Sequence, residues 1–199
     1  MVWEKVFISY TSEDLQLAQT ISAYIARIGI QPYIAERKPT PDVYLADKIA
    51  RNIIDSNCFV AILTRNSLGS QWVNQEIGFT YALQKIPNYY TPIFLLVETG
   101  LQVRGFPEAK EHIPLAAYTF EDPVYRLIMS LRAYINRNIL VLREIAVTCK
   151  SCKFPYKVPL PTQSEIDDAI QKNFVINTIC QNPNCRVPNN LNPKTFDVV

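Results

Sequence analysis

Two sets of residues in this sequence have the type and spacing to do chemistry. The first lies in the segment 70–83. Trp72, Glu76, Phe79 and Leu83 recur at offsets of 0, 4, 7 and 11, so they share one side of a helix. Three of them are large and apolar, and the fourth is a carboxylate. An acid set into an apolar stripe is unfavourable unless it is paired or functional. The spacing alone equally suits an acid that caps, pairs with an arginine or sits at the edge of the stripe. The second set is Cys149, Cys152, Cys180 and Cys185, in the pattern C-x2-C-x27-C-x4-C. Two close cysteine pairs joined by a hairpin-like segment fit a structural zinc ribbon, in which four thiolates surround the metal tetrahedrally. Such a site folds a short segment that lacks a large core. The x4 spacing is looser than the usual x2, and free or disulfide-forming cysteines are the other reading. Cys58, the fifth cysteine, opens an apolar run and reads as packing.

Several classes of chemistry are poorly provided for. His112 is the only histidine and lies in an irregular stretch, so Ser-His-Asp and Cys-His catalysis are disfavoured. The five glycines, at 29, 69, 78, 100 and 105, form neither GxGxxG nor GxxxxGK[ST], so a nucleotide must be held some other way. The net charge of +2 argues against a nucleic-acid partner. From Cys149 onward there are six basic and four acidic side chains, and four thiolates around a zinc ion cancel that excess. No run reaches the ~18 apolar residues needed to cross a bilayer. The first ten residues are too short and too charged for a signal peptide, which predicts a cytoplasmic protein in which disulfides are rare.

The elements that must position these residues alternate. Buried strands are predicted over 2–10, 30–36, 58–64, 92–98 and 113–120. Thr11-Ser12-Glu13-Asp14 reads as a helix start with a hydroxyl cap, followed by a stripe of Leu17, Ile21, Tyr24 and Ile28 ending at Gly29. Leu45, Ile49 and Ile53 form the inner stripe of a second helix, capped by Asp42. The 70–83 helix follows the third strand, and Asp122-Pro123 opens a last helix running to about Asn138. Five strand–helix alternations predict a doubly wound α/β domain with a parallel sheet, whose ligands bind at the carboxyl ends of the strands. The loops after Tyr10, Glu36 and Thr64 lie there. After Asn138 the composition changes, which gives domains at 1–138 and 139–199. A short helix is expected over 163–170 within the second.

Phe7-Ile8-Ser9-Tyr10 with Ser12-Glu13-Asp14 resembles the first box of a TIR domain. The proline-bearing loop from Arg37 to Asp42 stands where that family carries its BB loop. Ser70-Gln71-Trp72-Val73-Asn74-Gln75-Glu76 is similar to the WxxxE helix of the enzymatic members, with Val73 where many relatives have Cys. The resemblance covers residues 1–138 and implies a flavodoxin-like fold of five parallel strands. It further implies cleavage of NAD at the nicotinamide–ribose bond, with Glu76 as the essential carboxylate. Ser9 and Tyr10 would border the nucleotide, Trp72 would line the pocket, and Arg37 and Lys38 would meet NAD phosphates or a neighbouring subunit. The Arg37-Lys38 pair also reads as a plain solvated loop, and Ser9 and Tyr10 as ordinary strand-end residues. The chemistry is self-consistent. Loss of neutral nicotinamide from the pyridinium leaves an oxocarbenium-like ribose that one fixed carboxylate can stabilise, without a metal or a histidine. Relatives of this kind include the Thoeris anti-phage TIR proteins of prokaryotic immunity, which turn NAD into cyclic ADP-ribose signals. The expected partners are therefore NAD, further copies of the chain through TIR–TIR contacts, and a downstream effector protein. Two alternatives remain: a non-enzymatic TIR scaffold, and a nucleoside deoxyribosyltransferase-like enzyme.

Overall fold

The structure, a computed structural model, describes residues 5–27, 30–35, 44–87, 89, 91–109, 112–115, 121–137 and 144–199. These fall into two compact units. One comprises residues 1–23 and 30–123, and the other residues 24–29 and 124–199.

The first unit is built on five strands: β1 (Lys5–Ser9), β2 (Gln31–Ile34), β3 (Cys58–Leu63), β4 (Ile93–Glu98) and β5 (His112–Leu115). All neighbours are parallel, in the order β2-β1-β3-β4-β5. That order is the flavodoxin-like one, whose topological switch lies between β1 and β3. The central strands read as apolar runs because both faces are covered, whereas the edge strands β2 and β5 are more mixed and less buried. All six residues of β3 are buried. Phe7 pairs in register with Phe59, and their rings stack with centroids 5.5 Å apart. Helices α1 (Leu15–Arg27), α2 (Leu45–Ile54) and α3 (Gln71–Leu83) join the strands.

The strand and helix order agrees with the sequence reading, with three differences of detail. Thr11 does not cap α1 through its side chain. A turn of 3-10 helix (Ser12–Asp14) intervenes, and the Thr11 hydroxyl donates to Glu13 instead. The buried face of α1 is Ala18, Ile21 and Ile25, with Leu17 and Tyr24 half-buried on its flank. In α3 the deepest residues are Val73, Glu76, Ile77, Thr80 and Leu83, while Trp72 and Phe79 are half-buried. In α2 the expected stripe holds, with Ile49 and Ile53 buried and Leu45 half-buried. Asp42 and residues 116–120 lie outside the described residues.

The second unit takes in the last turn of α1 and most of α4 (Glu121–Arg137). It continues with an antiparallel hairpin of β6 (Glu144–Thr148) and β7 (Pro155–Pro159), then α5 (Gln163–Gln171). A second hairpin of β8 (Ile176–Ile179) and β9 (Pro188–Leu191) follows. Helix α5 begins with a reciprocal capping box between Thr162 and Glu165. Its small core includes Ile145, Val147, Tyr156, Ile166, Leu191 and Phe196. Arg27 forms an ion pair with Asp197 and donates to the Thr195 carbonyl at 3.0 Å. The expected domain boundary at 138/139 lies outside the described residues. Among the described residues no helix is long and apolar enough to cross a membrane.

Candidate functional site

Glu76 sits on the second turn of α3, whose start is fixed by the Ser70 side chain accepting from the Val73 amide. The residue is 2% exposed. Ser9, the last residue of β1 and fully buried, donates its hydroxyl hydrogen bond to Glu76 Oε2. The Thr80 hydroxyl donates to the Glu76 carbonyl at 2.8 Å, one turn on. The acid is thus held at the carboxyl end of β1, beside the topological switch.

A cavity of about 260 Å³ opens beside it, between α2 and α3. Asp47, Ile49 and Ile53 contribute from α2, and Trp72, Glu76 and Phe79 from α3. Three residues of the stripe singled out in the sequence, Trp72, Glu76 and Phe79, therefore face this cavity, while the fourth, Leu83, joins Val73 and Ile77 in the hydrophobic core. None of the described residues lining the cavity carries positive charge. An apolar cavity with a few convergent polar groups, one a buried carboxylate, suits the uncharged or cationic end of a ligand.

The loops flanking the site are tied to each other by Asp14, a buried residue that sequence spacing did not single out. It accepts from the Thr64 hydroxyl at 2.6 Å and from Asn66 Nδ2 at 2.8 Å. Thr64 in turn heads a reciprocal capping box with Ser67. The loop after β1 and the loop after β3 are joined there. Tyr10 does not line the cavity. It is buried, and its hydroxyl donates to the Ala35 carbonyl at 3.2 Å, fastening the end of β1 to the residue after β2. His112 Nε2 bonds the Pro107 carbonyl at 2.8 Å, a local structural contact. Arg37 and Lys38 lie outside the described residues.

A family model described as "TIR domain" matches residues 6–128, more than half of the chain. The chain belongs to the TIR domain family. A search of curated proteins finds no match. Among solved structures, this TIR chain is similar to the TIR domain of the Toll-related receptor TRR-2 from Hydra magnipapillata. The two are 16% identical with a TM-score of 0.51, over 67% of this chain and 97% of that one. The TIR domains of the Roq1 resistosome that recognises the effector XopQ align at 12% identity and a TM-score of 0.43, over 68% of this chain and 75% of that one. The Hydra likeness concerns the fold.

Beyond the TIR match, the four expected cysteines converge. Their sulfurs all lie within 4.8 Å of one another, with Cys149–Cys185 at 3.9 Å and Cys152–Cys180 at 3.7 Å. Each pair sits on a tight turn. Lys153 and Arg186, directly after the second cysteine of each pair, take left-handed φ values of 59° and 47°. The Cys185 amide bonds the Asn182 carbonyl, and the Lys153 amide bonds the Cys149 carbonyl. Side-chain amides also reach the sulfurs, Asn189 Nδ2 to Cys149 and Asn182 Nδ2 to Cys152, both at 3.7 Å. The Cys152 backbone amide holds the Cys149 thiol down at about 6, whereas burial pushes Cys180 up to about 12. The arrangement can hold a metal ion.

Proposed function

We propose that this TIR protein cleaves NAD at the nicotinamide–ribose bond, with Glu76 as the carboxylate that meets the ribose. The observation that carries the reading is a buried acid, oriented by Ser9, on the wall of an apolar cavity at the switch point of the sheet. The cavity is smaller than the roughly 300–1,000 Å³ of sites that enclose a drug-sized ligand. It suits the nicotinamide riboside end of the dinucleotide, with the phosphates outside. Nicotinamide leaves the ribosyl pyridinium as a neutral base with the bonding pair, so catalysis reduces to stabilising the oxocarbenium-like ribose until water or an internal nucleophile of the substrate adds to it. Glu76 supplies the charge, Ser9 fixes its direction, and Trp72 with Phe79 offers flat apolar surface to the departing ring. Arg37 and Lys38 are proposed to meet the phosphates. Tyr10 is assigned an indirect part, in holding the strand end. The product is an ADP-ribose-derived signal for a downstream effector, made in the cytoplasm of a prokaryote as part of anti-phage defence. Self-association through TIR contacts supports activity.

The tail is proposed to be a structural zinc ribbon over residues 139–199. A tetrahedron of thiolates at ~2.3 Å from zinc has edges of about 3.8 Å, and the two sulfur pairs at 3.7 and 3.9 Å fit it. Four thiolates close the coordination sphere, so the zinc contributes to folding and takes no part in cleavage.

The test is nicotinamide release followed by HPLC at high protein concentration, with Glu76→Gln beside the wild type. Release by the wild type and its loss in the variant support the assignment. Undiminished release in Glu76→Gln removes Glu76 from the mechanism, and no release in any assembly state returns the chain to the scaffolding TIR proteins. Metal analysis tests the ribbon, and a folded, metal-free wild type refutes it.

A further inference from the structure

A second cavity, of about 410 Å³, lies on another side of α3. Asn74 lines it, and at 100° per residue Asn74 stands about 160° around the helix from Glu76. The two cavities are therefore separate. Leu63 at the end of β3, Val103 and Pro107 give the second one an apolar lining, and Asn74, Gln102 and Arg104 bring polar heads to it. Arg104 stands exposed.

The walls are fixed by contacts of their own. The Glu98 carboxylate accepts from the Arg65 amide at 2.8 Å and pairs with the Arg65 guanidinium at 3.0 Å, latching the 65–69 turn to the end of β4. Gly100 and Gly105, at φ of 84° and 80°, turn the chain on both sides of Gln102–Arg104. Glu98 is therefore already matched by Arg65, and Asp14 is bonded to Thr64 and Asn66. That leaves Arg104 as the charged group lining this cavity, opposite in sign to the carboxylates of the first.

We propose that this second cavity is a binding site for a nucleoside monophosphate, distinct from the Glu76 site. Arg104 takes the phosphate, whose planar fork suits paired phosphate oxygens. The amides of Asn74 and Gln102, each with donors and an acceptor, read the polar edge of the base or the ribose. Leu63, Val103 and Pro107 lie beneath the ring. The volume falls within the range of small-molecule sites, and the position, at the carboxyl ends of β3 and β4, is where sheets of this class take ligands.

Isothermal titration of the full chain with AMP at low salt tests the proposal, with inorganic phosphate as the comparison ligand. Wild type should bind AMP saturably and more tightly than phosphate. Arg104→Ala, which removes an exposed side chain and is checked for an unchanged fold by circular dichroism, should weaken binding about tenfold or more. Asn74→Leu should weaken it as well, whereas Glu76→Gln should bind AMP as wild type does. The absence of saturable binding overturns the proposal, as does unchanged affinity in Arg104→Ala. Loss of binding in Glu76→Gln would place AMP in the first cavity, and equal affinity for phosphate would leave only an adventitious anion surface. Each result stands whether or not the protein releases nicotinamide.

Discussion

Replacing Ser9 by alanine isolates the contact on which the site depends. Ser9 is fully buried and Glu76 is 2% exposed, so their hydrogen bond is shielded from water. The substitution removes the donor that Ser9 offers to this buried carboxylate. Hydrogen bonds to charged groups contribute about 1.5–3 kcal/mol, so a loss of about 2 kcal/mol is expected. For a chain of this size that corresponds to a fall in Tm of about 4–8 °C. Glu76→Gln keeps an oxygen able to accept from Ser9 but removes the charge. In that background Ser9→Ala should cost only about 1 kcal/mol, giving a coupling of about 1 kcal/mol between the positions. Urea denaturation of the four proteins, followed by circular dichroism, measures the cycle. A Ser9→Ala protein within about 0.5 kcal/mol of wild type would refute the idea that Ser9 holds the acid. Identical losses in both backgrounds would show that charge plays no part in the contact.

Other outcomes follow from the same contacts. Trp72→Ala removes a wall of the Glu76 cavity and should raise KM for NAD more than it lowers kcat in the nicotinamide-release assay. Asp14→Ala unties the loops after β1 and β3, and amide hydrogen exchange should show faster exchange at residues 11–14 and 64–67. Asn189→Ala removes a buried amide that touches Cys149 and Tyr156 (3.1 Å to the hydroxyl). Chelator competition should show metal affinity lowered about 10–100-fold. The Thr162 hydroxyl, with the Thr162 amide, holds the Glu165 carboxyl below its usual range. Its contribution to α5 is present above the unfolded carboxyl pKa and fades as pH falls through the lower folded value. Thr162→Ala should move the Glu165 titration upward in an NMR pH series.

The sheet was legible because β3 is a fully apolar run and β4 is apolar up to Glu98, which admits few alternatives, and the alternation of strand and helix then sets the topology. The faces of the helices were read less well. In α1 and α3 the deepest positions include the small Ala18 and Thr80, while the large Leu17, Tyr24, Trp72 and Phe79 cover the flanks. A pattern weighted by side-chain size points to the residues with the longest reach, not to those nearest the sheet. That bias still pointed to the cavity wall, because the flanking Trp72 and Phe79 stand there beside the deeper Glu76. Asp14 has the sequence signature of an ordinary acid at a helix start, since its partners Thr64 and Asn66 are about fifty residues distant in sequence. The cysteine pattern was legible because ligand spacing is a local property. The amides of Asn182 and Asn189 that support the sulfurs carry no comparable signature.

Ser9 and Glu76 are separated by 67 residues, and β1, β3 and α3 must all be in place before they meet. Closing a loop over that span costs chain entropy that the pairing of the strands must offset. A nascent chain that has emerged only through β1 and α1 carries Ser9 without its acid. A collapsed intermediate with α3 undocked has the acid exposed to water and unaligned. The chemistry proposed for this pair would thus switch on with cooperative folding of the sheet, and unfinished or damaged chains would be inert toward the NAD around them.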